Sequence, residues 1–115
     1  MQLRTDISEA IILCTTELPW LPSPAPGVER RMLARDDATG VVTSIVRYAP
    51  GASYPAHPHP GGEEILVLEG TFADEHGRYP AGTYLRNPPG SAHHLYSPDG
   101  CVLFVKLGHL GHAAR

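Results

Sequence analysis

Two imidazoles stand on alternate positions at His57 and His59, a carboxylate follows at Glu63, and a third imidazole stands at His93. Side chains at i and i+2 of an extended chain share a face, so His57 and His59 are expected to point at one spot. Pro60-Gly61-Gly62 turns the chain between them and Glu63, which can face back toward that spot from the head of the next strand. His93 comes after the turn Asn87-Pro88-Pro89-Gly90. Three neutral nitrogens and one carboxylate suit a divalent transition metal: Fe, Mn, Ni, Co or Zn. Structural zinc sites are closed and usually rich in thiolate. Here no cysteine is near the cluster, and an ion preferring six ligands would keep positions open for water, dioxygen or a chelating substrate.

Elements that could hold such donors follow from the punctuation. Twelve glycines and twelve prolines in 115 residues suit many short strands joined by tight turns and argue against long helices. Val41–Tyr48 is the clearest strand, dominated by β-branched residues. Its alternation puts Arg47 with Val41, Thr43 and Ile45 on one face, and Tyr48 with Val42, Ser44 and Val46 on the other. Further strands are expected over Val28–Arg35, through the histidines, over Glu64–Gly70 with continuation through Ala73, at Thr83–Arg86, and over Cys101–Leu107. Asp74–Gly77 reads as a hairpin tip, with polar side chains in water and a positive φ at the glycine. Ala10–Cys14, short and β-branched, reads as a strand too. Trp20 is expected to anchor the proline-rich arm that follows by burying its ring. Such an arm can cross to a neighbouring subunit, which makes a homodimer the expectation. Gly108–Arg115 reads as a poorly ordered tail carrying His109 and His112 without function.

The bulk numbers narrow the class. A net charge of −3 argues against nucleic acid or an acidic membrane surface as partner. Neither a signal pattern nor an apolar run of spanning length occurs, so a soluble, cytoplasmic protein is expected. Cys14 and Cys101 are read as reduced, buried and inert.

These residues resemble a known pattern. Gly51, five residues, His57-x-His59, three residues, Glu63, six residues, Gly70 resembles the first cupin motif. Gly82, five residues, Pro88-x-Gly90, two residues, His93 resembles the second, with Ser97 where that motif usually closes on Asn, a position that is not a ligand. Two ordered motifs at correct spacing are far more specific than a lone His-x-His. The wording around them, from Pro19 to Leu107, is similar to the ChrR-like cupins. That group includes an anti-sigma factor's C-terminal domain and proteins like the acetylacetone-cleaving dioxygenases. The latter use three histidines without a liganding glutamate, so Glu63 sets this chain apart from them.

The resemblance implies an all-β, single-domain cupin: a double-stranded β-helix, or jelly-roll barrel, of antiparallel strands. The domain covers residues 1–115, with its core at about 28–107, an N-terminal strand and arm at 1–27, and a tail at 108–115. It implies one divalent metal on His57, His59, Glu63 and His93. Spacing to Gly70 favours Glu63 over Glu64, which would face the other side of its strand. His94 points away from His93, and His76 is solvated on its hairpin. Arg47, Tyr48, Tyr54, Phe72, Tyr84, Arg86 and Phe104 are candidates to line the cavity. An inward arginine at Arg47 or Arg86 would need an anionic partner, either Glu64, Glu69 or a substrate. The leading expectation is a metal-dependent dioxygenase acting on a small diketone or hydroxy-carbonyl compound. The alternative is a non-catalytic sensor or effector-binding module, and a sugar isomerase has no phosphate-binding signature to support it. Fold alone does not choose among these.

Overall fold

The structure, a computed structural model, describes residues 2–111. In chain order its strands are β1 (Gln2–Leu3), β2 (Leu21–Pro22), β3 (Val28–Asp36), β4 (Val41–Tyr48), β5 (Ser53–Tyr54), β6 (Glu63–Asp74), β7 (Gly77–Pro80), β8 (Tyr84–Asn87), β9 (Leu95–Tyr96) and β10 (Cys101–Leu107). One 3₁₀ turn, Thr15–Glu17, is the only helical element among the described residues. The strands pair antiparallel in the order β1-β3-β4-β10-β6-β9-β5, with β2 on β3, and β7 and β8 on β6.

The long strand β6 joins the two halves of this curled sheet. Its first half pairs with β10 and β8, and its second half with β7 and β9. Gly70 is the crossing point: its φ is +74°, and a Cβ there would lie 2.1 Å from the Gly100 carbonyl oxygen. Only glycine permits both the left-handed backbone and that approach. The strand therefore continues through the glycine to Asp74.

Period-two alternation fills the interior. Glu63, Ile65 and Val67 of β6 are buried, as are Cys101, Leu103 and Val105 of β10. Cross-strand partners share the inward face: Leu103 with Val67 and Val46, Val105 with Ile65 and Ser44, Cys101 with Tyr48. Tyr48 and Phe72 close one end edge to face, with ring centroids 5.6 Å apart.

The N-terminal segment departs from expectation. Ala10–Cys14 forms no strand; Ile12 is 95% exposed, and Cys14 is exposed rather than buried. A β-prone run needs an edge to join, and the edge of β3 is taken at its two ends by β1 and β2. Between them Arg4 donates to the carbonyl of Leu33 at 3.1 Å. Trp20 is half-buried, and it anchors the arm by another means than burial alone: the guanidinium groups of Arg31 and Arg47 lie 4.1 and 4.2 Å from its ring.

The C-terminal end departs as well. Gly108 donates to the Gly62 carbonyl at 2.9 Å and Leu110 to that of Gly61 at 3.0 Å, so residues 108–111 dock on the turn before Glu63. His109 is drawn in with them, only 17% of its side chain exposed, and its Nε2 meets Glu64. His112 lies outside the described residues. No helix among the described residues is long and apolar enough to cross a membrane.

Candidate functional site

A cavity of about 270 Å³ lies between the inward faces of β3, β4, β6 and β10, and His57, His59 and Glu63 line it. The histidines reach it from an irregular segment rather than a strand, because β5 ends at Tyr54. Pro55, Pro58 and Pro60 remove the donors a ladder would need. Other contacts replace the ladder. The His59 amide donates to Ser91 O at 3.2 Å, while its carbonyl accepts from Gly62 at 3.0 Å and Gly90 at 2.8 Å. One residue thus ties the first histidine segment to the loop that leads to His93. The rings of His57 and His59 lie 4.5 Å apart, centroid to centroid.

Glu63 is 4% exposed. Its Oε1 accepts from Asn87 Nδ2 at 2.9 Å, and its Oε2 lies 3.8 Å from His59 Nε2. No lysine or arginine among the described residues pairs with it. Glu64 points to the outer face, where it accepts from Tyr84 and His109; the Tyr84 bond, then the His109 bond, hold its carboxyl below the usual range. Burial pushes the His59 imidazole below the ordinary histidine range. Glu63 works against that shift, and His57 and His93 add to it.

His93 stands at the rim and does not line the cavity wall. Its Nδ1 lies 2.6 Å from Oε1 of Glu75, whose Oε2 accepts the His94 amide at 2.9 Å. Donor atoms of Glu75, His76 and His93 all fall within 4.8 Å of one another. The hairpin carrying Glu75 is built differently from expectation. Asp74 is buried and accepts from the amides of His76 (2.8 Å) and Gly77 (3.2 Å) and from the Tyr79 hydroxyl (2.8 Å). An Asx-type turn does the work there, and Gly77 keeps a negative φ. His76 remains mostly exposed, at 69% of its side chain. His94 is exposed, its ring 6.1 Å from that of Tyr96.

Of the proposed lining residues, Tyr48, Tyr54 and Phe72 face the cavity. Burial above all, then Cys101, Glu63 and Tyr54, hold the Tyr48 phenol well above its ordinary pKa. Arg47, Tyr84, Arg86 and Phe104 lie outside it. Arg47 sits on the outward face of β4 with Trp20 and pairs with Glu29 at 2.6 Å. Arg86 lies beside Tyr84, donating to its hydroxyl at 3.2 Å. Phe104 pairs across strands with Ile45 and Leu66. The arginines on the cavity wall are Arg30 and Arg35. Arg30 was legible as the charged member of the alternation Val28, Arg30, Met32; Arg35 was not, because a bulge between Met32 and Ala34 resets the phase. Glu75 and Asn87 carried no sequence signal beyond lying near turns.

The sequence profile of the ChrR cupin-like domain matches residues 8–111. The chain belongs to this cupin family. No curated protein matches it. Among solved structures, a Ralstonia eutropha protein of unknown function with a cupin-like fold is 25% identical (TM-score 0.66), over 70% of this chain and 54% of that one. An acetylacetone dioxygenase from Acinetobacter johnsonii is 19% identical (TM-score 0.72), over 86% and 72%. The Rhodobacter sphaeroides complex of SigE with the anti-sigma ChrR is 24% identical (TM-score 0.65), over 79% and 50%. This cupin spans about half the length of the first and last of these chains. The expected fold, an all-β antiparallel cupin, is the fold observed.

The cupin family typically binds a metal; among the described residues the donor atoms that gather within 4.8 Å are those of Glu75, His76 and His93, while His57, His59 and Glu63 line the cavity without closing to that distance as a group. A carboxylate buried to 4% exposure, with Asn87 and His59 for partners and no lysine or arginine among the described residues, is costly unless a further positive charge completes it.

Proposed function

We propose that this cupin is a metal-dependent dioxygenase-type enzyme acting on a small diketone or hydroxy-carbonyl compound, with His57, His59, Glu63 and His93 as the ligands of one divalent transition metal. The observation that carries the reading is Glu63, buried on the cavity wall beside His59 and with no lysine or arginine partner among the described residues. A bound divalent ion would supply Lewis-acid chemistry to two substrate oxygens and a place for dioxygen. The chain's own residues do the rest. Asn87 holds one Glu63 oxygen and leaves the other toward His59. Tyr48, with its pKa held high, stays a neutral hydroxyl at working pH and can donate to a substrate oxygen. Phe72, Ile65 and Leu103 give the pocket dry apolar walls.

Oxygen uptake by Fe(II)-loaded protein, run against a panel of small diketones and hydroxy-ketones, tests the proposal. Turnover of at least one compound, abolished by His57→Ala along with metal content, is expected. A silent panel with fully loaded metal refutes it.

The second reading is a non-catalytic, effector-binding module, and membership of the ChrR cupin-like family is what favours it. It expects metal to raise thermal stability while no compound is consumed.

A further inference from the structure

Among the described residues, Arg30 is the arginine of the cavity wall that no carboxylate pairs with. It lies on β3 between Val28 and Met32, opposite Val46, on the face that turns inward. The other arginine of the wall, Arg35, already donates from Nε to Asp37 at 2.8 Å. The one carboxylate on the wall, Glu63, is committed to Asn87 and His59. Among the described residues no carboxylate or carbonyl accepts a bond from the Arg30 guanidinium. The outer face of the same sheet shows how this chain treats an arginine that has no work to do: Arg47 is paired with Glu29 and stacked on Trp20.

A half-buried guanidinium without a counter-ion is left to water or to a ligand that supplies the charge, and the ligand's carboxylate is the stronger partner. The planar guanidinium fork matches a carboxylate with two parallel bonds. With Arg35 paired to Asp37, Arg30 and Glu63 balance each other in charge on the wall; a divalent ion on Glu63 would leave the cavity with an excess of positive charge, which a ligand carboxylate would offset. We infer that the cavity takes a small carboxylate, with Arg30 gripping the carboxylate end while the chelating oxygens face His57, His59 and Glu63. This rests on the reading of that cluster as a metal centre and narrows its substrate from neutral diketones to oxo- or hydroxy-carbonyl acids. The cavity's volume of about 270 Å³ suits a ligand at the small end of the usual range.

The experiment compares 4,6-dioxoheptanoate, whose carboxylate is too far from the ketone to be lost as CO2, with its methyl ester; the two keep the same diketone and differ in charge. Binding is measured calorimetrically to metal-free and Zn(II)-loaded protein, and oxygen uptake is measured separately with Fe(II). Wild type should bind the acid about tenfold or more tighter than the ester, the scale of one charge-assisted hydrogen bond. Arg30→Met should bind the two alike, and Arg30→Lys should keep part of the preference, which serves if the methionine variant does not fold. Equal binding of acid and ester by wild type, no binding of either, or a preference that survives Arg30→Met overturns the assignment. If the acid binds through Arg30 but no oxygen is consumed, the subsite stands and the dioxygenase reading falls. If the ester is consumed as readily as the acid, the dioxygenase reading stands and the subsite falls.

Discussion

Glu75 grips the His93 segment with both carboxylate oxygens, one 2.6 Å from His93 Nδ1 and the other 2.9 Å from the His94 amide. A carboxylate on Nδ1 fixes the tautomer that donates there and leaves Nε2 with its lone pair free. Metal-binding histidines are held this way, and loss of the partner typically lowers metal affinity about 10–100-fold. Glu75→Gln is therefore expected to weaken Zn(II) binding by that factor in a chelator-competition titration. His76→Ala, which removes the third donor of the rim group, should leave affinity within about twofold if His93 serves the barrel. Loss with His76→Ala as well as with Glu75→Gln would move the metal to the rim, where Glu75, His76 and His93 would all be donors.

Glu63 gives a prediction of two signs. Its carboxylate is 4% exposed and has Asn87 and His59 for company, so in metal-free protein its charge is a burden that Gln would lift while keeping the Asn87 contact. Metal-free Glu63→Gln should be as stable as wild type or more so. It should also lose the stabilisation by metal that wild type shows, about 4 kcal/mol at a thousandfold excess over Kd. Thermal unfolding with and without Zn(II) decides it. A metal-free variant markedly less stable than wild type would mean that Glu63 is satisfied by the protein alone.

How much of this could be read beforehand depends on the kind of signal. Strands β4 and β10 carry strong alternation and pair with each other without a register shift, and both begin and end where their patterns do. Gly70 was readable as a point the strand passes through, since the apolar pattern resumes beyond it. The failures come from contacts between segments distant in the chain. Ala10–Cys14 has strand composition but finds the edge of β3 occupied. Residues 108–111 look unstructured until the Gly61-Gly62 turn supplies their carbonyl partners. That His57, His59 and Glu63 come to one cavity was legible because their spacing is local. Glu75, which holds His93 across 18 residues of sequence, has no local mark.

Tyr79 makes part of the stability of this hairpin depend on pH. Desolvation, then its bond to the buried Asp74, push its phenol up to about 12. The unfolded chain returns it to about 10. The folded state therefore holds this proton more tightly, so the contribution is complete below pH 10 and is lost as pH rises toward 12. Tyr79→Phe should cost about 1–3 kcal/mol at pH 8, the range for a hydrogen bond to a charged acceptor. Wild type should lose its advantage over the variant between pH 10 and 12 in urea unfolding. An advantage that persists undiminished at pH 12 would sever Tyr79 from Asp74.

Gly61 tests whether the C-terminal end braces the site. Its own φ is not in the left-handed region, so alanine meets no backbone penalty there; the obstacle is steric, because a Cβ would lie 2.5 Å from the Cα and carbonyl oxygen of Gly108. Backbone atoms cannot swing aside as a flexible side chain can. Gly61→Ala must push residues 108–111 off the turn, breaking the bonds from Gly108 to Gly62 and from Leu110 to Gly61. Overpacking of this kind costs about 1–3 kcal/mol. Amide exchange at Gly108 and Leu110 should accelerate well beyond the change at Leu103, which lies in the middle of β10. Because Glu63 begins two residues after Gly61, the same variant should bind Zn(II) more weakly than wild type. Unaltered exchange at both amides would show that the end of the chain is not held by this turn.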